Sequence, residues 1–108
     1  MKNLPLPECG VAKVMYLLGG KWKLLILWRI SQQKTIRFNE LKRTTNGITN
    51  MMLTRSLNEL IEIGFVVRND HQTIPPHVEY TLTDLGKTFI PMLKAINTWG
   101  TNHLIQKH

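Results

Sequence analysis

A mostly helical α+β fold, with helices on both sides of a single β-hairpin, is the class this sequence predicts. Three observations carry that expectation. Apolar residues recur at helical spacing through most of the chain, a glycine stop at Gly64 closes one such run, and two β-rich segments flank a proline-bearing loop just beyond it. The 108 residues are read as one domain, residues 1–108, long enough to bury roughly two thirds of the surface its unfolded chain exposes.

Taken in order, Pro5 and Pro7 keep the first residues extended, and Val11, Val14, Met15 and Leu18 then mark a short amphipathic helix ending at Gly19 and Gly20. Residues 21–31 are apolar nearly all round, with Trp22, Leu24, Leu25, Ile26, Leu27, Trp28 and Ile30, which predicts a central helix covered on most sides. Thr35, Ile36 and Arg37 suit a very short strand. Phe38–Thr44 suits a helix with Phe38 and Leu41 inward and Lys42 and Arg43 outward, and Asn46-Gly47 supplies the turn after it.

The next helix, residues 49–63, begins at Thr49, whose side-chain oxygen can cap it, and ends at Gly64, the residue best suited to a left-handed stop. Leu53, Leu57, Leu60 and Ile61 form its buried stripe. Asn50, Met51, Thr54, Arg55 and Asn58 share the opposite face, and of the two adjacent methionines at most one is expected inward. Phe65, Val66 and Val67 read as one strand and Val78–Leu82 as another, with Asn69, Asp70, Pro75 and Pro76 in a stiffened loop over residues 69–77, giving a hairpin over residues 65–82.

Thr83 can cap a last helix over residues 84–107, which Pro91 is expected to kink. Phe89, Leu93, Ile96, Trp99, Gly100, His103 and Leu104 lie along one side of it, a stripe longer than the hairpin can cover. Such a helix usually buries its surplus against a second copy, so a two-fold dimer is expected through Val11, Val14, Met15, Leu93, Ile96, Trp99 and Leu104. Helix, turn and capped second helix, followed by a hairpin, make a winged helix-turn-helix domain with N- and C-terminal dimerisation helices. In that unit the second helix enters the major groove of DNA.

Charge points the same way. Fourteen Lys and Arg against seven Asp and Glu leave +7, which favours a polyanionic partner over a neutral small molecule. The balance is uneven: residues 1–36 carry six positive and one negative, residues 37–55 four and one, and residues 56–80 one and four. The longest apolar run, residues 24–28, falls far short of the ~20 residues of a membrane helix, and the first residues lack a leader pattern, so a cytoplasmic protein with no membrane partner is expected.

From Cys9 to Gly100 the chain resembles the HxlR family of MarR-like winged-helix transcription regulators. The ordered matches are Cys9, Gly19-Gly20-Lys21-Trp22, Phe38-Asn39-Glu40-Leu41, Gly47-Ile48-Thr49, Met52-Leu53-Thr54, Leu57, Leu60, Gly64, Pro75-Pro76, Val78-Glu79-Tyr80, Leu82-Thr83, Gly86, Pro91 and Trp99-Gly100. The resemblance implies a homodimer that binds an operator with one recognition helix per subunit, and Met52, at a matching position, as the inward methionine; the function expected is a homodimeric repressor on a palindromic operator. In several members a near-terminal cysteine senses oxidants or electrophiles. The chain departs from the family at Met51 and Asn58, where basic residues are common, and at His77, where arginine is frequent.

The expected contacts with double-stranded DNA are Arg37, Lys42, Arg43, Thr49, Asn50, Met51, Thr54, Arg55, Asn58 and His77. Arg55 presents a fork of donors that suits guanine or a phosphate, whereas Lys42 and Arg43 flank the turn and suit phosphates. Base reading is placed in the helix, not in the hairpin. Cys9 precedes a helix whose positive N-terminal end and Lys13 favour thiolate, so it is a candidate redox sensor; the plainer alternative is a small apolar residue at a dimer seam. Trp22, Trp28 and Trp99 read as core. No enzyme, cofactor or metal site is expected, since His71, His77, His103 and His108 show neither ligand spacing nor evident Cys or carboxylate partners. The small-molecule effector, if there is one, is unknown, and the competing function is a docking module for protein or RNA on the same fold.

Overall fold

The central helix does most of the work of building this fold, because it carries apolar side chains on nearly every side. The computed structural model describes residues 9–105. Pro5, Pro7, His108 and the last two residues of the expected C-terminal helix lie outside the described residues. The elements run α1 (Gly10–Leu18), α2 (Lys23–Ser31), β1 (Ile36–Arg37), α3 (Phe38–Thr44), α4 (Asn50–Glu62), β2 (Val66–Asp70), β3 (Val78–Leu82), α5 (Asp84–Thr88) and α6 (Ile90–Gly100), then one π-type turn, Thr101–Ile105. Ile26, Leu27 and Ile30 of α2 are buried against Leu41, Leu53, Leu57, Leu60, Val66, Tyr80 and Leu93. At about 25 cal/mol per Å² of apolar surface, such side chains stabilise the fold by roughly 1.5–3 kcal/mol each.

The sheet is antiparallel in the order β1-β3-β2. Ile36 faces Tyr80 on one side of β3, and on the other the register runs from Val66 opposite Leu82 to Asp70 opposite Val78. Thr83 locks the sheet to the end of α4: its N–H donates to Phe65 O at 3.0 Å and its hydroxyl donates to Gly64 O. The same hydroxyl oxygen accepts from Gly86 N at 3.0 Å and caps α5.

Four expectations need correction. Asn69 and Asp70 belong to β2 and not to the loop, while Phe65 precedes the strand, because Phe65 N–H closes the end of α4 and the ladder continues to the Asp70 pair. The last helix is two helices. Pro91 has no N–H to offer Lys87 O and its ring would crowd that carbonyl, so the chain stops at Phe89 and restarts with Pro91 in the first turn of α6. Met52 is exposed, like Met51, since Leu53 and Ser56 take the inward positions of that turn. Leu93 is 4% exposed inside the chain's own core, so it has no side-chain surface left for a partner.

Candidate nucleic-acid interface

The α3–α4 unit is positioned from both ends. Gly47, at φ +90°, and Gly64, at φ +89°, take left-handed backbone that β-carbon-bearing residues resist, one before α4 and one after it. Thr49 Oγ1 accepts from Met52 N at 3.1 Å and caps the start. At the far end Phe65 N donates to Leu60 O and Gly64 N to Ile61 O, at 2.9 and 3.0 Å, which is the paired closure expected of a glycine stop. From behind, Leu53, Leu57 and Leu60 are buried, and Lys23 Nζ of α2 reaches Glu59 Oε1 at 3.0 Å. That ion pair is partly exposed and contributes roughly 0–1 kcal/mol, so packing and caps hold α4 in place.

What remains on the outside is the polar face. Asn50, Met51, Thr54, Arg55 and Asn58 are all exposed and line one shallow depression with Glu59 and Glu62. The two carboxylates sit at its C-terminal end, so the N-terminal half of α4 is the part free to meet an anion. Among the described residues, Lys23 pairs with Glu59 and Arg68 with Asp70, and the rings of His71 and His77 lie against Glu79; Arg55 is in none of these contacts. Arg37 and Arg43 line a second depression together with Pro76, and Arg37 Nη2 donates to Pro76 O at 3.3 Å. Lys42 is half-buried on the flank of α3. The structure therefore brings nine of the ten expected contacts to the helix-turn-helix and its edge, with Thr49 engaged as the cap.

His77 is different. Its Nε2 lies 3.0 Å from Glu79 Oε2, and His71 Nε2 lies 2.9 Å from Glu79 Oε1, with the two rings 4.5 Å apart. Side-chain hydrogen bonds from His71 first and His77 second, with a smaller one from Thr35, lower the Glu79 carboxyl from 4.5 to about 2. The expectation that these histidines lack a carboxylate partner is thus corrected: His71, His77 and Glu79 bring ligand-capable atoms within 4.8 Å of one another. The signal lay in hairpin register, which pairs residues whose numbers sum to a constant, and spacing along the chain does not display it.

The matching family model, HxlR-like helix-turn-helix, covers residues 17–108. This chain belongs to the HxlR family. An HTH-type transcriptional regulator of Methanothermobacter thermautotrophicus is 44% identical over 92 residues, 85% of this chain and 70% of that one. YkvN, an HTH-type transcriptional regulator of Bacillus subtilis, is 37% identical over 101 residues, 94% of this chain and 85% of its own. Among solved structures, the redox regulator HypR in its oxidized form superposes with a TM-score of 0.82 at 37% identity, over 88% of this chain and 97% of that one. The fold of this HxlR chain is therefore the winged helix-turn-helix of MarR-type regulators, and the chain is a transcriptional regulator of the helix-turn-helix type. The names of these relatives are those of regulators and not of enzymes. No helix among the described residues is long and apolar enough to cross a membrane.

The terminal helices carry a second exposed surface on this HxlR chain. Val11 and Met15 of α1, and Ile96, Trp99 and Leu104 at the far end, each leave more than half of their surface open, and Val14 is exposed to a lesser extent. His103 stacks on Trp99 with ring centroids 4.8 Å apart, and its Nδ1 lies 3.0 Å from Trp99 O. Cys9 is exposed at the N-cap of α1 in extended backbone, with its sulfur free of any capping bond. Lys13, one turn along, lies over the Tyr16 ring at 5.7 Å.

Proposed function

We propose that this chain is a cytoplasmic, homodimeric repressor that places α4 of each protomer in successive major grooves of a palindromic operator. The observation that carries the proposal is the outward face of α4: Asn50, Met51, Thr54, Arg55 and Asn58 are exposed together on a helix anchored by three buried leucines and a hydroxyl cap. A rigid helix with free donors and one guanidinium matches the edges of bases, which demand fixed geometry. Arg37, Lys42 and Arg43 are assigned to phosphates beside the groove. The exposed apolar residues of α1 and of the C-terminal end, Val11, Val14, Met15, Ile96, Trp99 and Leu104, are assigned to the two-fold seam.

Cys9 is assigned as the responsive thiol. Its exposure supports this, as does the likeness to a regulator described as a redox regulator. With hydrogen peroxide as oxidant, the thiol takes one oxygen and releases water to give a sulfenic acid, which condenses with a second thiol to a disulfide and a second water. A link formed so near the seam would change the spacing of the two α4 helices.

The test is selection of duplexes from a random pool by reduced and by peroxide-treated protein in parallel. The expected result is a two-fold motif with half-sites about one helical turn, ~34 Å, apart, enriched by the reduced protein and weakened by peroxide in wild type but not in Cys9→Ser. Enrichment without a shared motif would move the assignment to a protein- or RNA-docking module, and equal loss in both proteins would remove Cys9 from the mechanism.

A further inference from the structure

The hairpin end holds a cluster for which DNA reading has no use. With Asn69 opposite Glu79 and Asp70 opposite Val78, the next facing pair is His71 and His77, and His71 N donates to His77 O at 2.9 Å. Side chains alternate along a strand, so His77 and Glu79, two residues apart, share one face with His71 across the ribbon. Backbone register thereby brings two imidazoles and one carboxylate within 4.8 Å of one another.

We propose that His71, His77 and Glu79 form a binding site for one divalent transition-metal ion of the zinc class. Two nitrogens and one carboxylate suit such an ion, whereas magnesium and calcium prefer sites built mainly of oxygen. Three protein ligands with a fourth position left to water is a recurrent zinc arrangement. Bonds of ~2.0–2.2 Å at tetrahedral angles separate ligand atoms by about 3.3 Å. The present contacts of 2.9 and 3.0 Å must open slightly, and the widest spacing among the ligand atoms, within 4.8 Å, must close toward that value, both by side-chain rotation.

The surroundings are already arranged for this. Thr35 Oγ1 donates to Glu79 Oε2 at 3.2 Å and orients the carboxylate from the neighbouring segment, the kind of outer partner that metal ligands depend on. The loop is closed by Gln72 N to Asp70 Oδ1 and by Thr73 Oγ1 to Pro75 O, both at 2.8 Å, so two of the ligands sit on fixed backbone at its ends. On the reading that the hairpin lies beside DNA, a bound dication would offset the negative balance of residues 56–80; that consequence rests on the proposed function, but the site itself does not.

The experiment is a calorimetric titration of zinc chloride into the metal-stripped full chain, in a Cys9→Ser background so that the thiol does not compete. One ion per chain is expected, with His71→Gln and His77→Gln each weakening binding by at least about tenfold and His103→Gln leaving it unchanged. Selective movement of the His71 and His77 imidazole proton resonances in the parent protein gives a readout that needs no wing variant. Zinc bound as tightly by the wing variants as by the parent, or resonances that move only for other histidines, would overturn the site. No DNA is present, so a negative result here leaves the regulator reading intact, and a failed operator selection leaves the metal site intact.

Discussion

Helix α4 and the β2–β3 hairpin are both surface elements of the same winged domain, yet they spend their polar side chains in opposite ways. Helix α4 leaves Asn50, Thr54, Arg55 and Asn58 exposed and keeps its apolar side for the core. The hairpin turns its polar groups toward one another: His71 is hydrogen-bonded to Glu79, His77 Nε2 lies 3.0 Å from the same carboxylate, and Arg68 lies 3.7 Å from Asp70. Donors held free on a rigid frame are available to a partner, whereas side chains gathered round a carboxylate must leave it before they meet another anion. The difference supports the proposed base reading by the helix and the separate chemistry proposed for the hairpin.

The comparison breaks first at its foundation, the packed back of α4. Leu57 is 1% exposed, and Leu57→Ala is expected to cost about 2–5 kcal/mol of stability in a denaturant melt, more than any exposed substitution on this helix. Next comes the front. Arg55→Ala should weaken operator binding by about 1–3 kcal/mol at fixed salt, with the melting transition unmoved. Removing the cap is a smaller change: Thr49→Ala should lower stability by about 1 kcal/mol, since the Met52 N–H then loses its acceptor. The hairpin supplies the smallest effect. In metal-free buffer His77→Gln should alter operator affinity by less than about 0.5 kcal/mol, because its ring is engaged with Glu79; a loss as large as that of Arg55→Ala would erase the contrast between the two regions.

Helical elements were legible because their signals are local. Thr49, the leucine stripe and Gly64 lie within one short stretch, and the observed bounds of α4 follow them. The positively charged turn and the inward Leu41 are of the same kind. The hairpin was less legible since its ladder extends through Asn69 and Asp70, residues with poor strand preference that are kept in line by pairing with Glu79 and Val78. Tertiary pairing overrode local preference there, and it also hid the His71, His77 and Glu79 cluster. Met52 and Leu93 show a third limit: helical spacing gives the side of the helix, but only the neighbours decide how much of that side is covered. Leu93 meets the core, whereas Ile96 and Trp99, further along the same helix, run past it and remain more than half exposed.

Base-by-base affinity profiles of wild type and Arg55→Ala on variants of the selected operator test the central claim most directly. The account predicts that the substitution abolishes preference at one position in each half-site, placed symmetrically about the two-fold, and leaves preferences elsewhere unchanged. Uniform weakening at every position, with the preferences intact, would make Arg55 a phosphate contact and contradict base reading by this face of α4.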